Sequence, residues 1–218
     1  DAYRACWIEL PGLNVTQFAL KADSAPLPKE LKPDFEAAVR TAAGAIHLLG
    51  SGSTRQRTGI ARIDLALESA VLADMPQIYD CVQRTLDLAR GPNIEGAIVD
   101  GDVLRLFHRG IATASATIDL PLGVLEGEPP RVLDWRWIQL ERLEGVPLSV
   151  TDAAMVGRQR ALFLAVAEDT IDNDFSAADL SLREALILAN AITGPNTITF
   201  DPALSGQTIT LGFTWLPI

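Results

Sequence analysis

The chain has 218 residues, of which 48% are hydrophobic, enough for one ordinary hydrophobic core or two small ones. Its 18 basic and 28 acidic residues give a formal net charge of -10. This charge argues against nucleic acid as a partner, because phosphate binding needs a basic surface. No run of about 18 apolar residues occurs, so we expect no transmembrane segment. The sequence starts at Asp1, without an initiator Met or a signal peptide, and on this ground we expect a cut piece or a mature product.

The two cysteines, Cys6 and Cys81, leave two alternatives open. They can form one disulfide, although nothing in their spacing demands it. Two half-buried thiols are the simpler interpretation, because free cysteine is often buried. Neither belongs to a metal-binding pattern, since the sequence has no CxxC motif and its two histidines, His47 and His108, are isolated.

A short motif recurs along the chain. It starts at positions 34, 93 and 151, so the steps are 59 and 58 residues, and each copy precedes an apolar run. A second motif, Ile-Glu-Leu or Ile-Asp-Leu, starts at positions 8, 63 and 118, with two steps of 55 residues. Repeats of this length mark repeated supersecondary units, and alternation of apolar and polar residues marks strands.

Each repeat is predicted to hold four strands. In the middle repeat they contain Glu95, Phe107, Ile118 and Leu140. The fourth strand is predicted at residues 137–143, with equivalents at 83–88 and 16–21, and residues 68–81 are predicted as a helical turn and a loop. Four-stranded blades repeated in this way are typical of a β-propeller.

The phase of the repeats predicts an incomplete propeller. The chain opens at strand three of one blade, contains two whole blades and stops after strand two of another, which makes about three blades. A closed ring needs at least about four blades. We therefore expect self-association through open sheet edges, for example as a two-chain ring.

The last 48 residues have a different pattern. Ser181 and Glu184 form a capping box that predicts a short helix to about Ala191, followed by strands at 197–200 and 207–211. We therefore expect two domains, 1–170 and 171–218. The fold class is mainly β, with a partial propeller followed by a helix-capped segment.

Residues 1–170 resemble part of an uncharacterised bacterial β-propeller family, a domain of unknown function. The likeness is carried by LKPDFEA at 31–37, GSGS at 50–53, NIEGA at 93–97, LFHRG at 106–110, VPL at 146–148, TDAA at 151–154 and AVAEDT at 165–170. This family implies no function. The Glu-Gly-Ala turn is also similar to that of phytase-like and lactonase-like propellers, and that likeness implies calcium near a central channel.

Residues 171–218 resemble the N-terminal segment of right-handed parallel β-helix proteins on bacterial surfaces, which carries a CSLREAI pattern. Here the pattern reads LSLREAL at 180–186 and is followed by NTITF at 196–200 and GQTITL at 206–211. Leu180 stands where that family has a cysteine, so no disulfide is implied at this position. The resemblance implies an exported or surface location.

The polar residues at the start of each predicted first strand are the candidate metal ligands. They are Asp34 and Glu36, Asn93 and Glu95, and Thr151 with Asp152. In a propeller these positions converge on one axis, and converging carboxylates suit Ca²⁺. Asp152 is shifted by one residue, which turns its side chain to the other face and brings Thr151 to the channel. The alternative is that these residues cap turns and bond neighbouring amides, and we favour it.

Two further residues are candidates for chemistry. His108 and Arg109 end the predicted second strand, where together with Glu95 they can bind an anionic substrate or move protons. A structural role for a lone strand histidine is the favoured alternative. As function we predict a non-catalytic scaffold or binding module for a ligand or protein that the sequence does not identify, with Ca²⁺ as its candidate cofactor. The alternative is a calcium-dependent hydrolase of the phosphoesterase or lactonase type.

Overall fold

The computed structural model describes residues 4–9, 14–20, 32–110, 114–143, 146–157 and 160–167, and the separate positions 189, 197, 198, 202 and 206. The chain divides into two compact units, Asp1–Glu168 and Asp169–Ile218. In the second unit Ala189 is helical. The rest of the helix predicted from 181 to 191, and nearly all of the two strands predicted after it, lie outside the described residues.

The first unit contains a hairpin and two four-stranded sheets, all antiparallel. The hairpin consists of β1 (Arg4–Glu9) and β2 (Asn14–Ala19). The first four-stranded sheet has the order β3 (Phe35–Arg40), β4 (Ile46–Gly50), β5 (Gly59–Asp64) and β6 (Ser69–Asp74). The second has the order β7 (Ile94–Asp100), β8 (Val103–His108), β9 (Ser115–Pro121) and β10 (Asp134–Ile138).

A third sheet follows, with the order β11 (Arg142–Leu143), β12 (Val146–Gly157) and β13 (Arg160–Ala167). Two 3-10 turns, Arg55–Arg57 and Leu122–Glu126, and one helix, α1 (Pro76–Thr85), connect the strands. The prediction of a mainly β chain is confirmed. In the described part of the chain the sheets do not close into a ring.

The strand predicted at residues 83–88 is wrong, because α1 runs to Thr85 and β6 is the fourth strand of its sheet. Pro76 stands at the start of α1, where its missing N–H costs no hydrogen bond. Ile78, Tyr79 and Val82 share one buried face at helical spacing. The later prediction at 137–143 is right only in part. Strand β10 ends at Ile138, and β11 pairs with β12 in the next sheet.

Strands β3, β7 and β12 lie side by side. Strand β7 packs against β3 on one side and against β12 on the other. One hydrophobic core joins the first two sheets and α1, and its fully buried members include Leu104, Leu106 and Ile118. A smaller core joins Ile98 and Phe107 to Val150 and Ala153. The packing of β7 against β3 brings the polar residues at the starts of these two strands close together.

Both cysteines are free, Cys6 in an exposed position and Cys81 half-buried. The two thiols are therefore unpaired, and the prediction of half-buried thiols is right for Cys81 and wrong for Cys6. No helix in the described part of the chain is both long and apolar enough to cross a membrane.

Candidate functional site

A β-bulge interrupts each of the adjoining strands, near the start of β3 and of β7 and in the middle of β12. The pairing skips one residue between Phe35 and Ala37, between Ile94 and Gly96, and between Val150 and Asp152. The bulged residues are therefore Glu36, Glu95 and Thr151. A bulge re-aims the side chain of its extra residue. In β12 the unpaired residue is Thr151 and not Asp152. This agrees with the one-residue shift of Asp152 that is visible in the sequence.

Asp34 anchors the start of β3. Its backbone has a φ of 53°, and its carbonyl accepts the Ser51 amide at 2.9 Å. Its Oδ2 accepts the Ser51 hydroxyl at 2.9 Å and lies 2.8 Å from Nη1 of Arg57. The same Nη1 donates to the Ser53 hydroxyl at 3.1 Å. The Asp34 carboxylate is thus paired and hydrogen-bonded in a half-buried position.

The loop after β4 places Arg57 beside that carboxylate. Gly52 donates its amide to the Arg57 carbonyl at 2.9 Å, which folds the loop back on itself. Gly50 allows this close approach, because a Cβ at position 50 would stand 2.3 Å from the same carbonyl oxygen. A larger residue at position 50 would push Arg57 away from Asp34.

Glu95 has an equivalent set of partners at the start of β7. Nδ2 of Asn93 donates to its Oε1 at 2.7 Å, and Nη1 of Arg109 lies 3.5 Å from the same oxygen. The side chains of Arg109 and Glu95 are only 14% and 15% exposed. The Arg109 amide donates to the Asn93 carbonyl at 2.8 Å, which fixes both residues at the open end of the β7–β8 pair.

His108 is buried and contacts the same segment through a hydrogen bond with Asn93. It is 6% exposed, and its Nδ1 accepts the Asn93 amide at 3.0 Å. Burial lowers the pKa of His108 to about 4. At neutral pH the ring is uncharged and carries its proton on Nε2. Both predicted catalytic candidates, His108 and Arg109, therefore contact the polar residues of the second bulge.

Glu36 lies close enough to both Asp34 and Glu95 for their charges to affect its pKa. The residue is exposed overall, yet the loss of hydration around its carboxyl is the main reason that its pKa is raised. The nearby carboxylates of Asp34 and Glu95 raise that pKa further. We call Asp34, Glu36, Arg57, Asn93, Glu95 and Arg109 the inner-strand cluster. It has three acids and two arginines, and Glu36 is the acid whose charge is least compensated.

Asp152 has a local partner instead. Its Oδ1 accepts the amide of Ala153 at 2.7 Å, and the residue is exposed. This bond joins neighbouring residues within β12, so the carboxylate bonds a neighbouring amide without capping a turn. Of the five predicted metal ligands, four lie in the inner-strand cluster and Asp152 lies one residue beyond the third bulge.

The cluster does not fit a calcium ion as it stands. The guanidinium groups of Arg57 and Arg109 contact the oxygens of Asp34 and Glu95 that a hard cation would need. Among the residues that the structure describes, no group of three or more His, Cys, Asp or Glu is placed to hold a metal ion. A calcium ion there would have to use the other oxygens of these carboxylates and of Glu36, or displace the arginines.

The sequence pattern does not reveal the two residues that neutralise and hold Asp34. Arg57 and Ser51 lie in an irregular loop, where no periodic pattern marks a partner. Ser51 belongs to the GSGS segment at 50–53, and two serines next to tightly packed glycines are the one signal that was present.

A separate cavity of about 180 Å³ lies beside the same loop. Its walls are residues 52–55 and Thr58, three residues of α1 (Tyr79, Asp80 and Gln83), and Gly91 with Pro92. The exposed pair of Arg55 and Asp80, 3.3 Å apart, lies at this cavity. Exposed pairs of this kind contribute little to stability.

All residues of the cluster fall within the segment that a family model recognises. The model, described as "Family of unknown function (DUF6910)", matches residues 28–175, more than half of the 218 residues. The chain belongs to the DUF6910 family. The expectation of an uncharacterised domain is thereby confirmed. Searches of curated proteins and of solved structures give no match.

Proposed function

We propose that this DUF6910 chain is a non-catalytic scaffold or binding module whose sheets are blades of a β-propeller. Two features support the arrangement. Each complete sheet is a four-stranded antiparallel meander in sequence order. The strands β3, β7 and β12 of successive sheets adjoin. Blades of this kind, with their first strands towards a common axis, define the propeller architecture.

One observation carries the non-catalytic part of the proposal: two of the three acids of the inner-strand cluster, Asp34 and Glu95, are each paired with an arginine. Arg57 lies 2.8 Å from Asp34, and Arg109 lies 3.5 Å from Glu95. A general base needs a lone pair directed at its substrate, and these carboxylates direct theirs at guanidinium groups. The cluster therefore acts as an internal charge network that holds the starts of β3 and β7.

Two substitutions of opposite expected effect test this role. Glu95→Gln removes the charge opposite Arg109 in a largely buried place, and we expect it to lower the unfolding free energy by about 2 kcal/mol. Glu36→Gln removes the least compensated charge, and we expect it to stabilise the fold at neutral pH. Equal losses of stability for both variants would contradict the charge-network role.

The second candidate is a calcium-dependent hydrolase of the phosphoesterase or lactonase type. The raised pKa of Glu36 favours it, because a cation beside Asp34 and Glu95 would relieve the repulsion that raises this pKa. In this case Ca²⁺ binds at Glu36 and Glu95 and raises the melting temperature, and the protein hydrolyses esters only with Ca²⁺ present. Ester turnover that chelation abolishes would establish it.

An exported or surface location is part of the same proposal. It rests on the likeness of residues 171–218 to the first segment of surface β-helix proteins. Fractionation of cells that express the natural gene tests it. Recovery of the protein only with the cytosolic fraction would contradict an exported scaffold.

A further inference from the structure

Strand β13 is rich in apolar residues, and no strand of the described part of the chain pairs with its outer edge. In the described part of the chain β13 is an edge strand, since it pairs with β12 on one side only. Leu162 and Leu164 are each 58% exposed, and Phe163 and Val166 are each 39% exposed. Apolar residues on both faces are typical of a strand that is covered on both sides. A long exposed apolar edge is a site for pairing with another strand.

The two complete sheets show what kind of strand belongs at this edge. Leu164 lies opposite Asp152, the residue after the third bulge, as Leu49 lies opposite Ala37 and Phe107 lies opposite Gly96. These three residues occupy the same place in their sheets, yet Leu49 is 1% exposed, Phe107 is 4% exposed and Leu164 is 58% exposed. In the two complete sheets the corresponding edge is paired, because β5 pairs with β4 and β9 pairs with β8. The edge of β13 therefore fits a third strand of the same class.

The chain carries such a strand in β1. Its Ile8-Glu9 corresponds in sequence to Ile63-Asp64 of β5 and Ile118-Asp119 of β9, and a leucine follows each pair. In the described residues β1 pairs only with β2, so its other edge is bare as well.

Strand β2 packs against β6, and Phe18 and Leu20 share a core with Ala61 and Ile63 of the first complete sheet. The hairpin of β1 and β2 therefore stands where strands three and four of a preceding sheet belong. Within one chain β1 and β13 are not strand partners.

We propose that β13 of one copy of this chain pairs in antiparallel fashion with β1 of a second copy. Strands β12 and β13 then supply the first half of a blade, and the second copy's β1 and β2 supply the other half. The pairing is reciprocal, as in a two-fold dimer. Each chain contributes two whole sheets and two halves, so two chains make six sheets, within the usual range of about four to eight blades.

The register of the complete sheets identifies the residues that meet across the junction. Cys6 stands two residues before Ile8, as Ala61 and Ala116 stand before their isoleucines. In the first complete sheet Ala61 lies opposite Leu48, which corresponds to Phe163. In the second, Ala116 lies opposite His108, which corresponds to Ala165. Both registers place Cys6 opposite a residue on the same face of β13.

The test is disulfide trapping in the full chain. Cys81→Ser leaves Cys6, which is exposed, as the single thiol. Phe163→Cys and Ala165→Cys each add a partner on the predicted face, and Leu164→Cys is the control on the opposite face. Directly paired strands have Cα atoms about 5 Å apart, within the range that a disulfide needs.

We expect light scattering at micromolar concentration to give twice the mass of the 23.4 kDa chain. Mild oxidation should link Cys6 to the cysteine at 163 or 165 between two chains, as mass spectrometry of the linked peptides would show. The control variant should link far less. A monomer of 23.4 kDa, a bond within one chain, or equal linking in the control would overturn the proposal.

Discussion

The backbone of Gly96 in β7 lies directly against that of Ala153 in β12. A Cβ on Gly96 would stand 2.8 Å from the Ala153 nitrogen and 3.1 Å from the carbonyl carbon of Asp152. Real Cβ contacts are longer, so only glycine permits this approach. The contact lies one residue after the bulge at Glu95, and it brings neighbouring sheets together where the inner-strand cluster forms.

The first prediction concerns this contact. Gly96→Ala should lower the unfolding free energy by about 1–3 kcal/mol, because the two strands must move apart to admit a methyl group. Gly157→Ala is the matched control, since nothing lies within 4 Å of a Cβ there. Urea denaturation measures both variants. If their midpoints agree, β7 and β12 do not pack as described.

The second prediction concerns pH and Glu36. Its raised pKa means that the folded chain keeps this proton at a pH where the unfolded chain, with a value of 4.5, has lost it. Ionisation therefore opposes folding, and the associated stability is present below pH 4.5 and falls as pH rises through the raised pKa. Glu36→Gln should be more stable than the wild type at about pH 7 and equal to it near pH 4.

Denaturation curves at both pH values give the comparison, and Glu141→Gln, which is exposed, serves as the control. A Glu36→Gln variant that is less stable than the wild type at neutral pH would show that the Glu36 charge is needed.

The third prediction concerns acid sensitivity and His108. Its pKa falls from 6.5 in the unfolded chain to about 4 in the folded one. The unfolded chain binds the proton first on acidification, so stability present above pH 6.5 is lost as pH falls towards 4. Over this range the contribution amounts to roughly 3 kcal/mol.

His108→Asn keeps an acceptor near the Asn93 amide but cannot titrate. We expect its unfolding free energy to decline less steeply between pH 6.5 and pH 4 than that of the wild type, whatever its value at neutral pH. His47 is unchanged in both proteins, so any slope due to His47 cancels. Parallel pH profiles would remove His108 as the source of acid sensitivity.

Repetition and period-two alternation were sufficient to predict most of the strands. Ile94, Leu106 and Ile118 are fully buried at the places where alternation puts apolar residues inward. The prediction failed at 83–88, where a short alternating run overlaps the end of a helix. The buried spacing of Ile78 and Val82 belongs to that helix and not to a strand.

The sequence predicts the acidic residues of the candidate site but not the arginines that pair with them. Glu36 and Glu95 recur with the repeat, so their equivalence is visible in the sequence. Arg57 contacts Asp34 from an irregular loop 23 positions further along, and no pattern connects 34 with 57. The acids alone are typical of a cation site, and their pairing with the two arginines supports the charge network that we propose.

Thermal unfolding with and without millimolar Ca²⁺ is the most direct test of that distinction. The non-catalytic scaffold predicts that Ca²⁺ leaves the melting temperature of the wild type unchanged, because Arg57 and Arg109 already neutralise Asp34 and Glu95. It also predicts that Glu95→Gln melts lower by the same amount in either buffer. A rise in melting temperature with Ca²⁺ that Glu95→Gln abolishes would contradict the scaffold and support a calcium site.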